Sequence, residues 1–509
     1  MVARNRLLNC QKRLSQSFRR SARMYLGDLP AHLKRYSLEY YRELSSYKKI
    51  TCKNNILDEV MESQIILCGD YHSSSQAQRT VLRILREILH SIKKEKKTLY
   101  LGLEILRAQD NIRAQQIKNS EISEAQFLDA ISFHRWGFNW ENYAPLFDFA
   151  RQWKLSLFGL SPDRMGSLES RDAFAARVIS NWAQQDPNAV IFCLMGDLHL
   201  AQNHLPQEIK SELKNKRVSK RVLTIHQNYD DLYWKLVEKK RESQGEVVEL
   251  SKDVFCILNT APWIKLQSHL SSVEEVSGVE ESYEPSDTAL QLIEGIAYFL
   301  GIKKKEIGNG ADIDIRESQD SRSTFSYSEK VFYLGSPNLN HLAKLSSQYL
   351  HSKLSGFSGD FEDPQRDFYP WVWAETLGYL GSKIINPKRK CQGINDFKSA
   401  SDPAMKTAYR HLKKEFLVSK TGVKPSSSFW PKKKYTVDEV MQSQKVALLL
   451  GKLLGQAMFE LILKNKISLS FLRELFKTSF GAEAESLYFE WCRKVDSYSL
   501  RSFSYREKL

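Results

Sequence analysis

The sequence predicts an α/β fold, a mainly parallel sheet flanked by helices, followed by a mostly α-helical second domain. Three observations lead to this prediction. Short apolar stretches alternate with segments of helical periodicity up to about residue 265. An acidic, serine-rich stretch follows, and beyond it helical periodicity dominates. We therefore predict a basic helical N-terminal arm (1–50), an α/β domain (51–267), an acidic linker (268–287) and a helical domain (288–509).

Six strands are predicted in the α/β domain. Each is short, rich in isoleucine, leucine, valine, phenylalanine or cysteine, and bounded by polar residues or glycine. Such runs are expected for strands that are buried on both faces of a parallel sheet. Between them, residues 74–93 and 171–184 repeat apolar side chains at helical spacing. The predicted strands are 64–67, 98–103, 156–160, 189–195, 221–225 and 254–258.

The predicted linker reads SHLSSVEEVSGVEESYEPSD, a composition typical of a domain boundary. After it, helical periodicity is interrupted by one predicted β-hairpin that pairs residues 312–316 with residues 330–334. No motif in this second half indicates a chemistry. The predicted helices are 288–300, 338–353, 369–384, 402–417, 437–464 and 468–476.

The most apolar stretch of the chain is 446–463, VALLLGKLLGQAMFELIL. It carries Lys452 and Glu460, which favours a buried helix over a membrane span. Gly451 and Gly455 within it form a small-x-x-x-small face, which predicts close packing against another helix.

Positive charge is concentrated near the N-terminus. The net charge is +15, and positions 1–50 hold twelve Lys or Arg against three acidic residues. Such an arm can contact nucleic acid or an anionic membrane surface. No zinc finger, RNA-binding motif or stripe of aromatic and basic residues accompanies it, so nucleic-acid binding is not favoured. The alternative is a solvated pair of basic helices.

The seven cysteines are scattered and show no CxxC or CxxH spacing. Cys68, Cys193 and Cys256 lie in apolar strand-like stretches, where a cysteine is usually a small core residue. The basic N-terminus lacks the apolar region of a signal peptide. Together these features predict a reduced, cytoplasmic protein without a transmembrane segment.

The motif Gly-Asp-x-His occurs twice, at 69–72 and at 196–199, each time at the end of a predicted strand. A third strand ends in Gly-Leu-Glu, with Glu104 last. The carboxyl ends of parallel strands form the ligand-binding edge of a sheet. Imidazole and carboxylate groups that converge there suit zinc, iron or manganese. We therefore take His72, Glu104 and His199 as candidate ligands of a divalent metal ion.

Each motif also has an ordinary structural explanation. An aspartate often caps the helix that follows it, and a histidine often satisfies a buried hydrogen bond. Asp70 fits the cap role because residues 73–75 begin the next helix, and Asp197 holds the same place in the second copy. Both are secondary site candidates. His204 and His226 are weaker ligand candidates.

Five segments, in order, resemble the ChaN-like haem-binding proteins of the superfamily that also holds Tiki proteases, TraB/PrgY proteins and erythromycin esterases. The first are GDYHSSSQAQRTVLRIL and the glutamate strand LYLGLEILRAQDN. They are followed by HRWGFNWENYAPLFDFARQWKLSLFGLSPD at 134–163, by Arg171-Asp172, and by MGDLHLAQNHLPQEI. The resemblance covers about residues 55–265 and includes neither the arm nor the helical domain.

The resemblance implies two alternative activities. In Tiki-like members the two histidine motifs and the glutamate form a metal-dependent hydrolytic site. Carried over, His72 and His199 would bind the metal, and Glu104 would bind it or act as general base on a small-molecule or peptide substrate. In ChaN-like members the domain is associated with haem and iron uptake, which needs an axial tyrosine or histidine and an apolar platform.

Aromatic and basic residues near the first motif complete the candidate set. Three of the aromatic residues lie at helical intervals, so core packing explains them as well as a haem platform does. Arg135 and Arg171 can bind an anionic substrate group, or can pair with Asp172 and Asp163. A third alternative is a non-catalytic scaffold, and a homo-oligomer is compatible with each function. The secondary candidates are His134, Arg135, Arg171, Tyr71, Trp136, Trp140 and Tyr143.

Overall fold

The computed structural model describes residues 2–26, 31–164, 166–242, 244–277, 285–308, 313–318, 323–335, 338–359, 361–421, 430 and 434–496. The chain forms two compact units. An α/β unit comprises residues 19–280, and a helical unit comprises residues 1–18 and 281–509. The expected parallel sheet and the expected helical C-terminal region are both confirmed.

An eight-stranded sheet forms the centre of the α/β unit, in the order β1-β7-β8-β6-β2-β5-β3-β4. Six neighbouring strands, from β8 to β4, run parallel, while β7 pairs antiparallel with both β1 and β8. The strands are β1 Lys49–Thr51, β2 Ile65–Asp70, β3 Thr98–Arg107, β4 Ser156–Ser161, β5 Ala189–Gly196, β6 Val222–Gln227, β7 Val247–Ser251 and β8 Val254–Ile257.

Helices cover both faces of this sheet. Successive side chains of a strand point to opposite faces, so Ile66 and Cys68 of β2 pack in one core while Ile65 and Leu67 pack in the other. The helices are α2 Ala31–Glu43, α3 Lys53–Glu62, α4 Ser75–Lys94, α5 Asn111–Lys118, α6 Glu124–Ala130, α7 Ala144–Trp153, α8 Leu168–Gln185, α9 Leu205–Asn215, α10 Asp230–Glu238 and α11 Pro262–Ser277. The strands are therefore buried on both sides, as their unbroken apolar runs predicted.

The structure differs from the predicted elements at three places. Strand β3 does not end at Glu104 but continues to Arg107, with an irregular register after Leu103. The edge strand β1 and its neighbour β7 were not predicted, because they are short and include charged residues that pair across the ladder. Residues 268–277 of the predicted linker continue helix α11, and residues 278–284 lie outside the described residues.

The helical unit contains ten helices in its described residues, including the part of α1 Val2–Leu26 up to Phe18. Leu7, Cys10, Leu14 and Phe18 recur at helical spacing and are buried. The predicted basic arm is therefore divided between the two units. The other helices are α12 Pro285–Leu300, α13 Lys304–Ile307, α14 Leu339–Ser355, α15 Pro364–Ile385, α16 Ile394–Ser399, α17 Pro403–Thr421, α18 Val437–Leu463, α19 Leu469–Lys477 and α20 Ala484–Asp496.

A small three-stranded sheet interrupts the helices, and here the predicted hairpin is wrong. Strand β9 Asp314–Glu317 pairs with β11 Val331–Leu334 in parallel, so the two segments cannot form a hairpin. The antiparallel partner of β11 is β10 Thr324–Ser326, joined to it by a tight turn over residues 327–330. Residue 312 of the predicted strand lies outside the described residues.

Helices α15 and α18 pack closely, as the paired glycines predicted. A Cβ atom on Gly451 would lie 2.8 Å from the carbonyl oxygen of Val372, and one on Gly455 would lie 2.7 Å from that of Thr376. In the part of the chain that the structure describes, α18 is the one helix long and apolar enough to cross a membrane, and 67% of its apolar stretch is buried within the protein.

Candidate functional site

The two Gly-Asp-x-His motifs lie at the ends of neighbouring strands. Strands β2 and β5 pair in parallel with Asp70 opposite Gly196, so both motifs leave the sheet at the same level. Strand β3 flanks β5 on its other side, with Leu103 opposite Leu194. Glu104 follows Leu103, so the three predicted ligands lie at one edge of the sheet.

Glu104 is the centre of this cluster. Its buried carboxylate accepts a hydrogen bond of 2.5 Å through Oε2 from the backbone N–H of Gly196. The same oxygen is 3.8 Å from Nε2 of His72, and Oε1 is 3.6 Å from Nε2 of His199. Oε1 also pairs with the guanidinium of Arg171. Both imidazoles therefore direct Nε2 at the same carboxylate.

A second carboxylate fixes the orientation of each imidazole. Nδ1 of His72 is 2.9 Å from Oδ2 of Asp70, and Nδ1 of His199 is 2.6 Å from Oδ1 of Asp172. A carboxylate in this position keeps the proton on Nδ1, so a neutral imidazole presents an unprotonated Nε2. Two such lone pairs would face the negative oxygens of Glu104, which is unfavourable unless a proton or a metal cation lies between them.

Asp70 does not cap the following helix, contrary to its predicted role. Its carboxylate accepts hydrogen bonds from Nε2 of Gln78 at 2.5 Å and from the hydroxyl of Tyr143 at 2.8 Å. Ser74 takes the N-cap position of α4, without a side-chain cap bond. The hydroxyl of Tyr143 therefore positions Asp70. Because the ring of Tyr143 is fully buried, it has no exposed face against which haem could lie.

The cluster is rich in buried negative charge. Four carboxylates at the sheet edge are buried, and two permanently charged cations, Arg171 and Lys265, pair with them. If both histidines are neutral, two negative charges stay uncompensated among these six groups. The four buried carboxylates are Asp70, Glu104, Asp172 and Asp197.

This charge shifts the pKa values of the cluster. Burial alone lowers the pKa of His72, but the carboxylates of Asp70, Glu104 and Asp197 outweigh it and raise the pKa to about 9. Burial alone raises the pKa of Glu104, but the two histidines and Arg171 hold it below its ordinary value. Without a metal ion, a proton on His72 therefore supplies part of the missing positive charge.

Lys265 of helix α11 closes the site from the side of the second motif. Its ammonium is 3.1 Å from Oδ2 of Asp197 and 4.3 Å from the ring centre of Tyr71. Oδ1 of Asp197 is buried without a hydrogen-bond partner in the described residues. Tyr71 packs edge-on to His269, and burial raises the pKa of its hydroxyl. Its phenol is therefore held in the neutral form.

The glycine of each motif makes room for the other motif. A Cβ atom on Gly69 would overlap Oδ1 of Asp197. A Cβ atom on Gly196 would lie 3.1 Å from Oε2 of Glu104 and 3.3 Å from Nε2 of His72. Neither position can carry a larger side chain without moving a charged group.

Aromatic side chains form a wall beside His72. The rings of Trp136 and Phe138 lie 5.0 and 5.1 Å from the imidazole centre. Trp140 instead contacts the core rings of Phe133 and Phe147. Trp136 therefore lies beside the cluster, whereas Trp140 packs in the core.

Four further candidates lie outside the cluster. The side chains of His134 and Arg135 are exposed on a short 3₁₀ turn, Phe133–Trp136. Nε2 of His204 is 2.9 Å from Glu39, and Nε2 of the buried His226 is 3.2 Å from Glu43. The structure places none of these four next to Glu104.

Sequence reasoning missed two residues of the site. Asp172 was named only in the Arg171-Asp172 segment of the resemblance and as a possible partner of an arginine, whereas it binds His199, and Arg171 pairs with Glu104. Tyr36 of helix α2 donates its hydroxyl to Oδ2 of Asp172 and stacks on His204 at 3.7 Å between ring centres. Tyr36 lies in the predicted basic arm, 136 positions from Asp172, and carries no local signal.

The cluster contains the side chains of a metal site, but they are not at metal-binding distances from one another. Among the described residues, no group of three or more His, Cys, Asp or Glu side chains is arranged to hold a metal ion. The side chains nevertheless have the atom types that bind metal ions, since the Nε2 atoms of two imidazoles and the carboxylate of Glu104 converge. The Nδ1 atoms of both imidazoles are bound by other carboxylates, as is usual for metal-binding histidines. Arg171 occupies the oxygen of Glu104 that faces His199, so metal binding requires this guanidinium to move.

Comparison with known proteins gives one family match, within the α/β unit. Residues 56–166 match the family model described as haem-binding uptake, Tiki superfamily, ChaN. This confirms the resemblance, although the matched segment ends before the second histidine motif. A solved structure, described as cofacial haem binding to ChaN of Campylobacter jejuni, is 14% identical, with 36% of this chain and 88% of that chain covered at a TM-score of 0.27. No curated protein matches the chain.

Proposed function

Since residues 56–166 match the family model described as haem-binding uptake, Tiki superfamily, ChaN, we propose that the α/β unit binds a divalent metal ion through His72, Glu104 and His199 and uses it in hydrolysis. The observation that carries this proposal is the orientation of the two imidazoles. Both direct Nε2 at the oxygens of one carboxylate, while buried carboxylates hold both Nδ1 atoms. This is the arrangement that metal-binding histidines adopt.

The charge of the site supports a dication. With neutral imidazoles, two buried negative charges lack a counter-charge, and a divalent ion supplies both. Zinc, iron and manganese accept two imidazoles and a carboxylate. When bound, such an ion lowers the pKa of its water to about 7 and makes a nucleophile available at neutral pH.

The residues of the chain take distinct parts in this proposal. Asp70 and Asp172 keep the two imidazoles in the metal-binding tautomer. Arg171, once it leaves Glu104, is placed to bind an anionic group of a substrate. Trp136 and Phe138 limit the access of water on the side of His72.

Elemental analysis of the purified protein tests metal binding. We expect near-stoichiometric zinc, manganese or iron in the unaltered protein and its loss in the His72→Ala/His199→Ala double variant. His134→Ala is the matched control, because His134 is exposed and outside the cluster, and it should keep its metal. Equal metal content in the double variant and the control would refute the proposed ligands.

Haem binding is the second candidate function. The description of the matched family names haem, and Trp136 and Phe138 offer aromatic faces beside His72. Two observations argue against His72 as the axial ligand of haem. Its Nε2 points inward at Glu104, and only 21% of its side chain is exposed. Tyr71 is the alternative ligand at the site. Titration with haemin would give a shifted Soret band if haem binds, and Tyr71→Phe and His72→Ala would show which residue coordinates it.

A further inference from the structure

A stripe of polar and charged side chains runs between helices α14, α15 and α18 of the helical unit. Glu375, Tyr379 and Lys383 follow one another at four-residue intervals along α15, and all three are buried. Lys344 of α14 and Lys452 of α18 approach the same stripe. Bundle cores of this kind build ligand sites from facing helices.

Glu375 is the acid at the centre of the stripe. Its Oε1 is 2.8 Å from the ammonium of Lys344 and 3.4 Å from Nε2 of Gln348. Its Oε2 is buried and has no hydrogen-bond partner in the described residues. A buried carboxylate oxygen without a donor is costly, so this atom calls for a hydrogen-bond donor that the described side chains do not supply.

Cations outnumber acids around this carboxylate. Arg389 donates to the carbonyl oxygen of Asn340 at 3.0 Å, and its guanidinium lies 5.0 Å from the ring centre of Tyr379. Burial, together with the charges of Lys344 and Arg389, lowers the pKa of Lys452 to about 8. Lys344 is in contact with Glu375, and the charges of Arg389 and Lys452 also act on the stripe, which leaves an excess of positive charge.

Lys383 lies at the end of the stripe. Its amino group donates to the carbonyl oxygens of Pro387 and Arg389, and burial lowers its pKa to about 7, so it is largely uncharged at pH 7.5. Glu460, the other acid near it, already contacts Gln456 and Lys464. Lys383 thus closes the last turn of α15 and does not reduce the excess charge around Glu375.

We propose that this stripe binds inorganic phosphate, an oxyanion that keeps a proton at neutral pH, between Lys452, Arg389 and Glu375. The unprotonated oxygens accept hydrogen bonds from the two cations, and the remaining O–H donates to Oε2 of Glu375. A single ligand then satisfies both the excess positive charge and the unpartnered carboxylate oxygen. Lys344, Lys452 and Arg389 each keep partial exposure, which gives a small ion a way in.

The acid at the centre determines the selectivity. At neutral pH, phosphate carries a proton that can be donated to Glu375, whereas sulfate carries none and would place its oxygens against a carboxylate. The site should therefore prefer phosphate to sulfate, although the two ions have similar size and charge. An exposed cluster of lysines would bind both ions equally.

Isothermal titration of the full chain with phosphate and with sulfate, at pH 7.5 and constant ionic strength, tests this. We expect saturable phosphate binding and at least tenfold weaker sulfate binding. Lys452→Met should weaken phosphate binding at least tenfold. Lys445→Met, an exposed lysine two turns earlier on α18, is the matched control and should bind as the unaltered chain does. Glu375→Gln should bring the two affinities together.

Each other outcome counts against the proposal. Equal affinity for phosphate and sulfate would show that Glu375 does not accept a proton from the ligand. Unchanged binding in Lys452→Met would place the ion elsewhere. No binding of either ion would show that the buried lysines balance the stripe by losing their own protons. If Glu375→Gln fails to fold, Lys452→Met and the two-anion comparison still decide.

A phosphate monoester provides a second comparison in the same experiment. Its second pKa is about 6, so at pH 7.5 the monoester is mainly a dianion without an O–H group. A small monoester should therefore bind as weakly as sulfate, and a monoester that binds as tightly as phosphate would show that the ligand donates no proton to Glu375. Neither result involves the cluster around Glu104, so this inference stands apart from the proposed function.

Discussion

The pKa of His72 allows one prediction to be developed from the structure in detail. In the metal-free folded protein the pKa is about 9, against 6.5 for an ordinary histidine. At about 1.4 kcal/mol for each pKa unit, this difference corresponds to about 3 kcal/mol of stability. The source is mainly Asp70, which lies 2.9 Å from Nδ1, with Glu104 at 3.8 Å from Nε2.

The sign of the effect follows from the direction of the shift. A group whose pKa is raised on folding stabilises the folded state fully below its unfolded pKa, and this stability is lost as the pH rises through the folded pKa. His72 should therefore stabilise the α/β unit at pH 6, and this contribution should disappear between about pH 6.5 and pH 9. The perturbation is His72→Gln, which removes the titration and keeps a polar side chain.

Pulsed thiol labelling across a urea series, after chelator treatment, measures this effect in the α/β unit alone. Cys68 in β2 and Cys193 in β5 are fully buried, so peptides that contain them become labelled only when the sheet opens. Between pH 6 and pH 9.5, the unaltered protein should lose about 3 kcal/mol more than the variant. His134→Gln, at an exposed position, is the matched control and should follow the unaltered protein. If the variant and the unaltered protein lose the same stability, His72 is not protonated by its carboxylate neighbours, and the electrostatic account of the site is refuted.

Four further predictions concern other contacts. Metal affinity should fall about tenfold for each pH unit below about 9, since binding requires a neutral His72; a flat profile from pH 7 to pH 9 in metal-competition titrations would contradict this. Asp172→Asn should weaken metal binding about 10- to 100-fold by releasing the ring of His199, and the same titration with an unchanged affinity would argue against that role. Tyr36→Phe should lower the unfolding free energy of the α/β unit by about 1 kcal/mol through loss of its bond to Asp172, whereas an identical urea midpoint would show that the bond contributes nothing. Gly451→Ala should destabilise the helical unit by about 1–3 kcal/mol, because the new Cβ would lie 2.8 Å from a carbonyl oxygen of α15; thermal unfolding that stays unchanged would mean that the helices separate freely.

Much of the site could be predicted from the sequence, because its residues follow apolar strands. The repeated Gly-Asp-x-His motif located two strand ends, and the general rule for parallel sheets placed both at one edge. The structure confirms that β2 and β5 are neighbours. The sequence could not identify Tyr36, because its contact with Asp172 depends on how a distant helix packs.

Errors in the predicted fold have a common physical origin. Strand β7 and the partners of β11 are short, and at such lengths apolar periodicity carries little information about pairing. The role of Asp70 was mistaken for a related reason. A strand-end aspartate before a helix has the local pattern of a cap, but a buried tyrosine and glutamine, far along the chain or on the next helix, direct its carboxylate inward.

The close fit of the two motifs has a consequence for how such a domain can change over time. Because Gly69 leaves space for Asp197 and Gly196 leaves space for His72, neither copy can be altered alone without disturbing the other. The two motifs therefore constitute one inherited unit, although 127 positions separate them in the chain. A descendant that replaced Gly69 would displace Asp197 of the second motif, and one that replaced Gly196 would press on Glu104 and on His72 of the first motif. Relatives with one intact copy should thus be rarer than relatives that keep both copies or have lost both.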